Sequence, residues 1–423
     1  MNRRQFLLGS AALGVSATAI AGIRFWPESG FSNPCLTGMP DALKSHPLMA
    51  KIWAGIDVAQ VWDSHAHIIG GGESGNGTWF NPNMNSWAHP ILKVQKNFYM
   101  NGGCITQGSE DASFVARMTQ LASEMPAGYK SILFAFDWVH NEQGVAQKEH
   151  SIFNIPDSYA AKIAHQFPQY FEWVASVHPY RKDAIDALES AKANGAVAIK
   201  WLPSGMGIDP ASPKCAKFYQ KLYDLNMPII SHTGRESAVQ GGDQTFGNPL
   251  KMRSALDAGV RVVLAHCASD GHDEDLDYKD TDNNHKSIKS FDLFTRLMDT
   301  PAYQELVFGD ISATNLFNHA WVIKPLLERQ DWHARLLNGT DYPLPAILPL
   351  ISTTQLARAG LLQDEHLLFL QTLRNYNPLM FDFAVKRLIQ WNGVGFSKQV
   401  FETRRIFDTN FKQKPAIKIT KEI

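Results

Sequence analysis

The chain has 423 residues, with 40 basic and 41 acidic side chains and a formal net charge of −1. That balance, with no arginine-rich run or basic stripe, excludes the electrostatic footprint of a nucleic-acid-binding protein. Hydrophobic residues make up 44%, enough for a substantial core, and four cysteines are too few for a disulfide scaffold.

Arg3 and Arg4 precede a weakly apolar stretch, Phe6 to Ala21, rich in Ala, Gly and Ser and ending in Ala19-Ile20-Ala21. The pattern resembles a twin-arginine export signal with an A-x-A cleavage site. The run is shorter than the roughly 20 apolar residues that span a bilayer. Residues 1–21 are expected to be a targeting segment and 22–57 a lead-in. The protein is expected to be periplasmic, touching a membrane only through the signal; a retained N-terminal anchor is the competing reading. Whether Cys35 and Cys104 pair in an oxidising compartment is left open, and Cys267 reads as a small core residue.

Eight short apolar runs follow, each ending in polar residues. They are "VWDSHAHII" (61–69), "SILFAFDWVH" (131–140), "EWVASVHPY" (172–180), "AVAIKWLP" (196–203), "MPIISHTG" (227–234), "RVVLAHCAS" (261–269), "ELVFGDISA" (305–313) and "RLLNGTDYP" (335–343). Near-continuous apolar runs fit parallel strands buried on both faces. Helical patterns lie between several of them. Ile185, Leu188 and Ala191 share a face before a Gly195 stop, and Phe218, Leu222 and Leu225 follow a Ser-Pro start. "NPLKMRSALDAG" reads likewise. Lys200, His232, His266, Asp310 and Asp341 end successive runs at steps of 32, 34, 44 and 31 residues, close to the βαβ unit of about thirty.

Eight such units predict an α/β fold, a (β/α)8 TIM barrel over residues 58–392. An open doubly wound sheet is the competitor, but "GGGESGNG" (70–77) does not lead into an amphipathic helix. Residues 70–130 read as a long insertion after strand one. Residues 270–290 read as an acidic, solvated lid loop after strand six, without EF-hand spacing. Residues 393–423 read as a tail packed on the outside.

The chemistry is concentrated at the strand ends. On a strand, positions i and i+2 share a face, so His65 and His67 should point together, and Asp63 with them. Burying two imidazoles without partners is costly, and a metal ion removes that cost. Core histidines bonded to carbonyls are the alternative. In a barrel, the C-terminal strand ends converge on one mouth. There Lys200, His232, His266 and Asp341 join the pair, five of the six being ordinary metal-ligand types.

The stretches "DSHAH", "GAVAIKWLP", "MPIISHTG", "VVLAHCASDG" and "NGTDYP", in that order, resemble the amidohydrolase superfamily of metal-dependent barrel hydrolases, in its amidohydrolase-related (amidohydrolase 2) branch. The likeness covers roughly residues 58 to 390. It implies that His65, His67 and His232 bind a divalent metal, and that Asp341 both binds it and takes the proton of an attacking water. It implies that His266 binds a second metal or polarises the substrate carbonyl. Lys200 is implied as a bridging ligand only if carboxylated; unmodified, it would pair with a substrate carboxylate or orient Asp341. Zinc suits such imidazole and carboxylate ligands best, as one ion or two.

Arg235, just past His232, is a candidate partner for a substrate carboxylate, with a surface salt bridge as its alternative. His178, Asp137 and Asp310 end strands three, two and seven and are candidates to line the pocket, with Trp79 and Trp87 as an apolar wall. The expected activity is metal-dependent hydrolysis of an amide, ester or lactone of a small, carboxylate-bearing molecule. The alternative is non-oxidative decarboxylation of an aromatic or unsaturated acid. A more remote one is an exported metal- or ligand-binding protein without catalysis, disfavoured because storage needs no proton acceptor. The expected partner is a small-molecule substrate, and a homo-oligomer is compatible with the sequence.

Overall fold

Each of the eight apolar runs forms a strand: β1 (Trp62–His67), β2 (Lys130–Phe134), β3 (Phe171–Val174), β4 (Ile199–Trp201), β5 (Ile229–His232), β6 (Val262–Ala265), β7 (Val307–Asp310) and β8 (Leu336–Leu337). The structure, a computed structural model, describes residues 28–237, 239, 242–280, 284–408 and 411. The expected export segment, residues 1–21, lies outside the described residues. All neighbouring strands pair in parallel, β1 to β3 as one sheet and β4 to β8 as another.

Backbone bonds join the two sheets at both seams. Ala175 N donates to Ala198 O at 3.1 Å and Lys200 N to Ala175 O at 2.8 Å between β3 and β4. Ser64 N donates to Asn338 O at 3.1 Å and Asp341 N to His65 O at 2.7 Å between β8 and β1. The ring of the TIM barrel therefore runs from β1 through β8 and back.

Alternation explains the interior. Trp62, Ile132, Val174, Ala198, Ile230, Val263, Phe308 and Leu337, one from each strand except Ala198, which immediately precedes β4, pack into a single buried cluster. Their neighbours Val61, Leu133, Ile199, Ile229, Val262, Val307 and Leu336 belong instead to the cluster under the outer helices. The helix Ala184–Ala193 buries Leu188 and Ala191, with Ile185 half-buried. It ends as expected at Gly195, whose φ of +90° is cheap only for glycine.

Three expectations are refined or corrected. Residues 70–130 are not one insertion: helix Glu110–Ser123 buries Phe114, Met118 and Leu121 and is the first barrel helix. The inserted part is the short strand Trp79–Phe80, paired with Phe153–Asn154, and helix Pro90–Gly102. The acidic lid contains an antiparallel hairpin, His272–Glu274 with Ser287–Lys289. Asp275 and Asp277 in it are held by Arg296 and Arg253.

The third concerns the C-terminal segment. Rather than lying outside, residues 393–408 close the base of the barrel. Ile406 and Phe407 join the interior cluster, Phe407 stacks on Trp62 with ring centroids 6.4 Å apart, and Asn338 N donates to Val400 O at 2.7 Å. Two four-residue helices carry these contacts, Lys398–Phe401 and Arg404–Phe407. They are too short for periodicity to reveal.

Cys35 and Cys104 form a disulfide across 69 residues, while Cys215 and Cys267 are free and buried. The bond staples the lead-in to the end of helix Pro90–Gly102, where Asn33 N also donates to Asn101 Oδ1 at 2.8 Å. Replacing both cysteines with serine should cost about 2–4 kcal/mol by releasing the unfolded chain. Urea midpoints of the oxidised wild type and the double variant would check it; equal midpoints would refute it.

Candidate active site

Period-two alternation sets the site above the apolar interior. Lys200, His232 and Asp310 lie two residues beyond the inward-facing Ala198, Ile230 and Phe308, so they continue the same columns into the C-terminal mouth. All three are buried. Strand β1 reaches the mouth differently. Its pairing with β2 is irregular between Asp63 and Ala66, which breaks the alternation. Asp63 therefore does not accompany the histidines. It accepts from Thr340 N at 2.7 Å, Thr340 Oγ1 at 2.6 Å and His65 N at 3.2 Å, tying β1 to the loop after β8. Burial lifts its carboxyl to about 7 against these bonds.

His65, His67 and Asp341 come together. Asp341 Oδ1 lies 3.0 Å from His67 Nε2 and 3.5 Å from His65 Nε2, and one ligand atom of each residue lies within 4.8 Å of the others. Gly339 permits this approach, since a Cβ there would stand 2.7 Å from His65 Cβ. His65 and Asp341 are buried, whereas His67 is open to the mouth at 29% exposure. Asp341 holds a left-handed φ of 57° and His266 one of 56°. Non-glycine residues take that conformation only when their surroundings impose it, and such strain gathers at functional sites.

Asp310 is the anchor beneath them. Its Oδ2 lies 2.9 Å from His65 Nδ1, and its Oδ1 accepts from His266 N at 3.2 Å, Ser312 N at 2.9 Å and the Ser312 hydroxyl. Burial alone would raise its pKa, but His65, His266 and Ser312 hold it well below the usual carboxylate range. An acceptor on Nδ1 leaves His65 Nε2 facing the mouth. Burial and the Lys200 ammonium hold His65 down at about 3, so its ring is neutral.

His266 Nδ1 sits 2.9 Å from Ser312 Oγ and 3.1 Å from Ser312 O, and its Nε2 lies 3.8 Å from Asp341 Oδ2. Burial would raise the pKa of Asp341, yet His65, His266 and the bond from His67 keep it well below its ordinary value. Lys200 Nζ lies 3.4 Å from His65 Nε2 and 5.1 Å from the centre of the Phe134 ring. Burial lowers its pKa to about 8, with Asp310 and Asp341 pulling upward.

His232 belongs to the same mouth without joining the compact groups His65, His67 and Asp341 or His65, His266 and Asp310. Its ring centroid is 5.2 Å from that of His266. Its Nε2 lies 3.1 Å from Glu236 Oε2, while its buried Nδ1 has no hydrogen-bond partner among the described residues. Burial, then His266 and Lys200, hold it well below the usual histidine range. A neutral imidazole with an unpartnered buried nitrogen is costly in water-free surroundings and suits a cation. His65, His67 and Asp341 form a donor set that fits a divalent metal, and His232 brings an unpartnered nitrogen of the ligating type to the same mouth.

The structure does not bring every expected residue to this centre. His178 is fully buried with both nitrogens engaged within the fold, Nε2 at 3.0 Å from Met206 O and Nδ1 accepting from Tyr180 N at 3.2 Å. Asp137 pairs with Arg181 and accepts from His178 N. Arg235 is exposed, with its backbone N bonded to Asp270 O. Trp79 packs on Trp138 at 5.1 Å, and Trp87 is 73% exposed.

Three residues of the site escape sequence reasoning. Glu236 is one place beyond Arg235. Tyr99, from the inserted helix, feels the charges of Glu236 and Asp341, which add to burial in raising its pKa. His319 lies 2.5 Å through Nδ1 from Ser269 Oγ, with its ring 6.3 Å from His266. Glu236, four residues past a strand-ending histidine, carried a readable signal. Tyr99 and His319 sit in connecting segments that strand periodicity does not index.

A family model described as amidohydrolase (Amidohydro_2) matches residues 126–346, just over half of the chain. No curated protein was found to match. Among solved structures, an uncharacterised TIM-barrel protein from Bordetella bronchiseptica is 15% identical with a TM-score of 0.42, over 76% of this chain and 99% of that one. A 5-carboxyvanillate decarboxylase from Sphingomonas paucimobilis is 9% identical with a TM-score of 0.42, over 77% and 96%. An amidohydrolase II is 13% identical with a TM-score of 0.39, over 77% and 99%. The sequence match carries the assignment: this chain belongs to the amidohydrolase family.

Proposed function

We propose that this amidohydrolase is a metal-dependent hydrolase of small amides, esters or lactones. One observation carries the reading: Asp341 meets His65 and His67 at the barrel mouth, with His266 on its other oxygen. His65, His67, His232 and Asp341 would hold one divalent ion, zinc suiting the donor set best. When bound, the ion supplies Lewis acidity.

The chain's own groups do the rest. Asp341, ionised and buried, accepts the proton of an attacking water and passes it to the leaving group. His266 Nδ1 donates to Ser312 O, so its Nε2, 3.8 Å from Asp341 Oδ2, stabilises a developing oxyanion only when the ring carries both protons. Lys200, as a free ammonium beside His65, pairs with a substrate carboxylate. The same lysine favours a second reading, decarboxylation, which needs a cationic group to seat the acid. We also propose export from the cytoplasm, supported by the Arg3-Arg4 signal pattern and the Cys35–Cys104 disulfide.

Protein as purified should carry about one divalent ion per chain by elemental analysis, as expected of a single four-ligand site. His65→Ala should lose most of it while keeping the barrel's circular dichroism. Chelation should abolish turnover on a panel of esters, lactones and amides, and remetallation should restore it. Carbon dioxide release without water consumption would replace hydrolysis with decarboxylation; a metal-free wild type would end both readings.

A further inference from the structure

We propose that Glu236 is the positioning residue that turns His232 into a metal ligand, by taking the proton-bearing Nε2 and leaving Nδ1 as the donor. The inference rests on the metal-site reading above and goes beyond it, to a residue outside the ligand set. Glu236 Oε2 lies 3.1 Å from His232 Nε2. A carboxylate oxygen only accepts, so the neutral ring carries its hydrogen on Nε2 and its lone pair on Nδ1. That Nδ1 is the buried nitrogen without a partner. A hydrogen-bonded second nitrogen is the usual means of fixing the tautomer and orientation of a ligating histidine.

The loop after β5 is built to hold this carboxyl still. Its other oxygen, Oε1, accepts from Val239 N at 2.7 Å. The Glu236 backbone is clamped on both sides by Gln244, whose Oε1 accepts from Glu236 N at 2.9 Å and whose Nε2 donates to Glu236 O at 3.3 Å. Gln95, from the inserted helix, donates to the neighbouring Ser237 O at 3.2 Å and ties the loop down from above. A surface glutamate needs no such clamps. Glu236 is itself buried, where a carboxyl persists only with partners.

The test is zinc affinity, measured by competition with a chromophoric chelator on wild type, Glu236→Ala, Glu236→Gln, His232→Ala and the double variant His232→Ala/Glu236→Ala. Glu236→Ala should weaken zinc binding by about 10- to 100-fold, the range for losing a histidine's supporting partner. Glu236→Gln, whose amide oxygen still accepts from Nε2, should recover most of that loss. In the His232→Ala background the alanine at 236 should cost nothing further, because the two residues act through one interaction. A residue important only for folding would weaken binding equally in both backgrounds.

A second measurement avoids the variants. Long-range proton–nitrogen correlation spectra of the metal-free wild type should show His232 Nδ1 as the unprotonated nitrogen. Wild-type affinity from Glu236→Ala, an undiminished loss in the double variant, or the opposite tautomer would overturn the proposal while the metal site stands. A wild type that binds no zinc would remove the metal-site reading itself.

Discussion

Asp341→Asn should leave a folded barrel whose turnover is lower by about 10² to 10⁴, the range for losing a general base. The amide keeps an oxygen 3.0 Å from where His67 Nε2 lies, so part of the metal should remain, but it cannot take a proton. His266→Ala is the contrast. It removes a group facing Asp341 Oδ2 and should depress turnover with metal content unchanged. Turnover and metal content must be read on the same samples. Near wild-type turnover in Asp341→Asn would take Asp341 out of the mechanism and, with it, the main reason for preferring hydrolysis.

Asp310→Ala should be the most damaging single change to the site's framework. It strands four donors in a buried pocket: the His65 ring, the His266 backbone N, and the Ser312 backbone N and hydroxyl. Breaking a buried charged network of this kind costs about 3–5 kcal/mol. Metal affinity should fall about 10- to 100-fold as His65 loses its orientation. Asp310→Asn keeps one acceptor and should fall between.

The pH dependence has a definite sign. The folded-state pKa of Asp310 is depressed, so its contribution to stability is present above the ordinary aspartate value and is lost as pH falls below it. The wild type should therefore lose its stability advantage over Asp310→Asn on acidification. Denaturant unfolding of metal-free wild type and variants at pH 7 and at pH 3 would show it. A variant as stable as wild type at pH 7 would mean that the carboxylate does not hold this network together.

What the sequence by itself determined is local and periodic. Eight apolar runs, each buried on both faces, are strands of a parallel sheet. Alternation along β4, β5 and β7 sends Lys200, His232 and Asp310 up the same columns as Ala198, Ile230 and Phe308. The polar ends of those runs could be named as the candidate site before any coordinates. Pairing between distant segments is another matter. Asp63 left the histidines' company because β1 is irregular against β2, and His178 spent its nitrogens on Met206 and Tyr180.

Only the tertiary structure decided that Asp341 N would bind His65 O across the β8–β1 seam and bring the carboxylate onto both histidines. It also placed Phe407 against Trp62 at the base, and Glu236 on His232 at the mouth. The physical reason is common to all of these. Periodicity reports which face of an element is dry, because that depends on neighbours one or two residues away. Which polar groups share a dry space depends on where separate loops end in three dimensions, and no spacing along the chain encodes that.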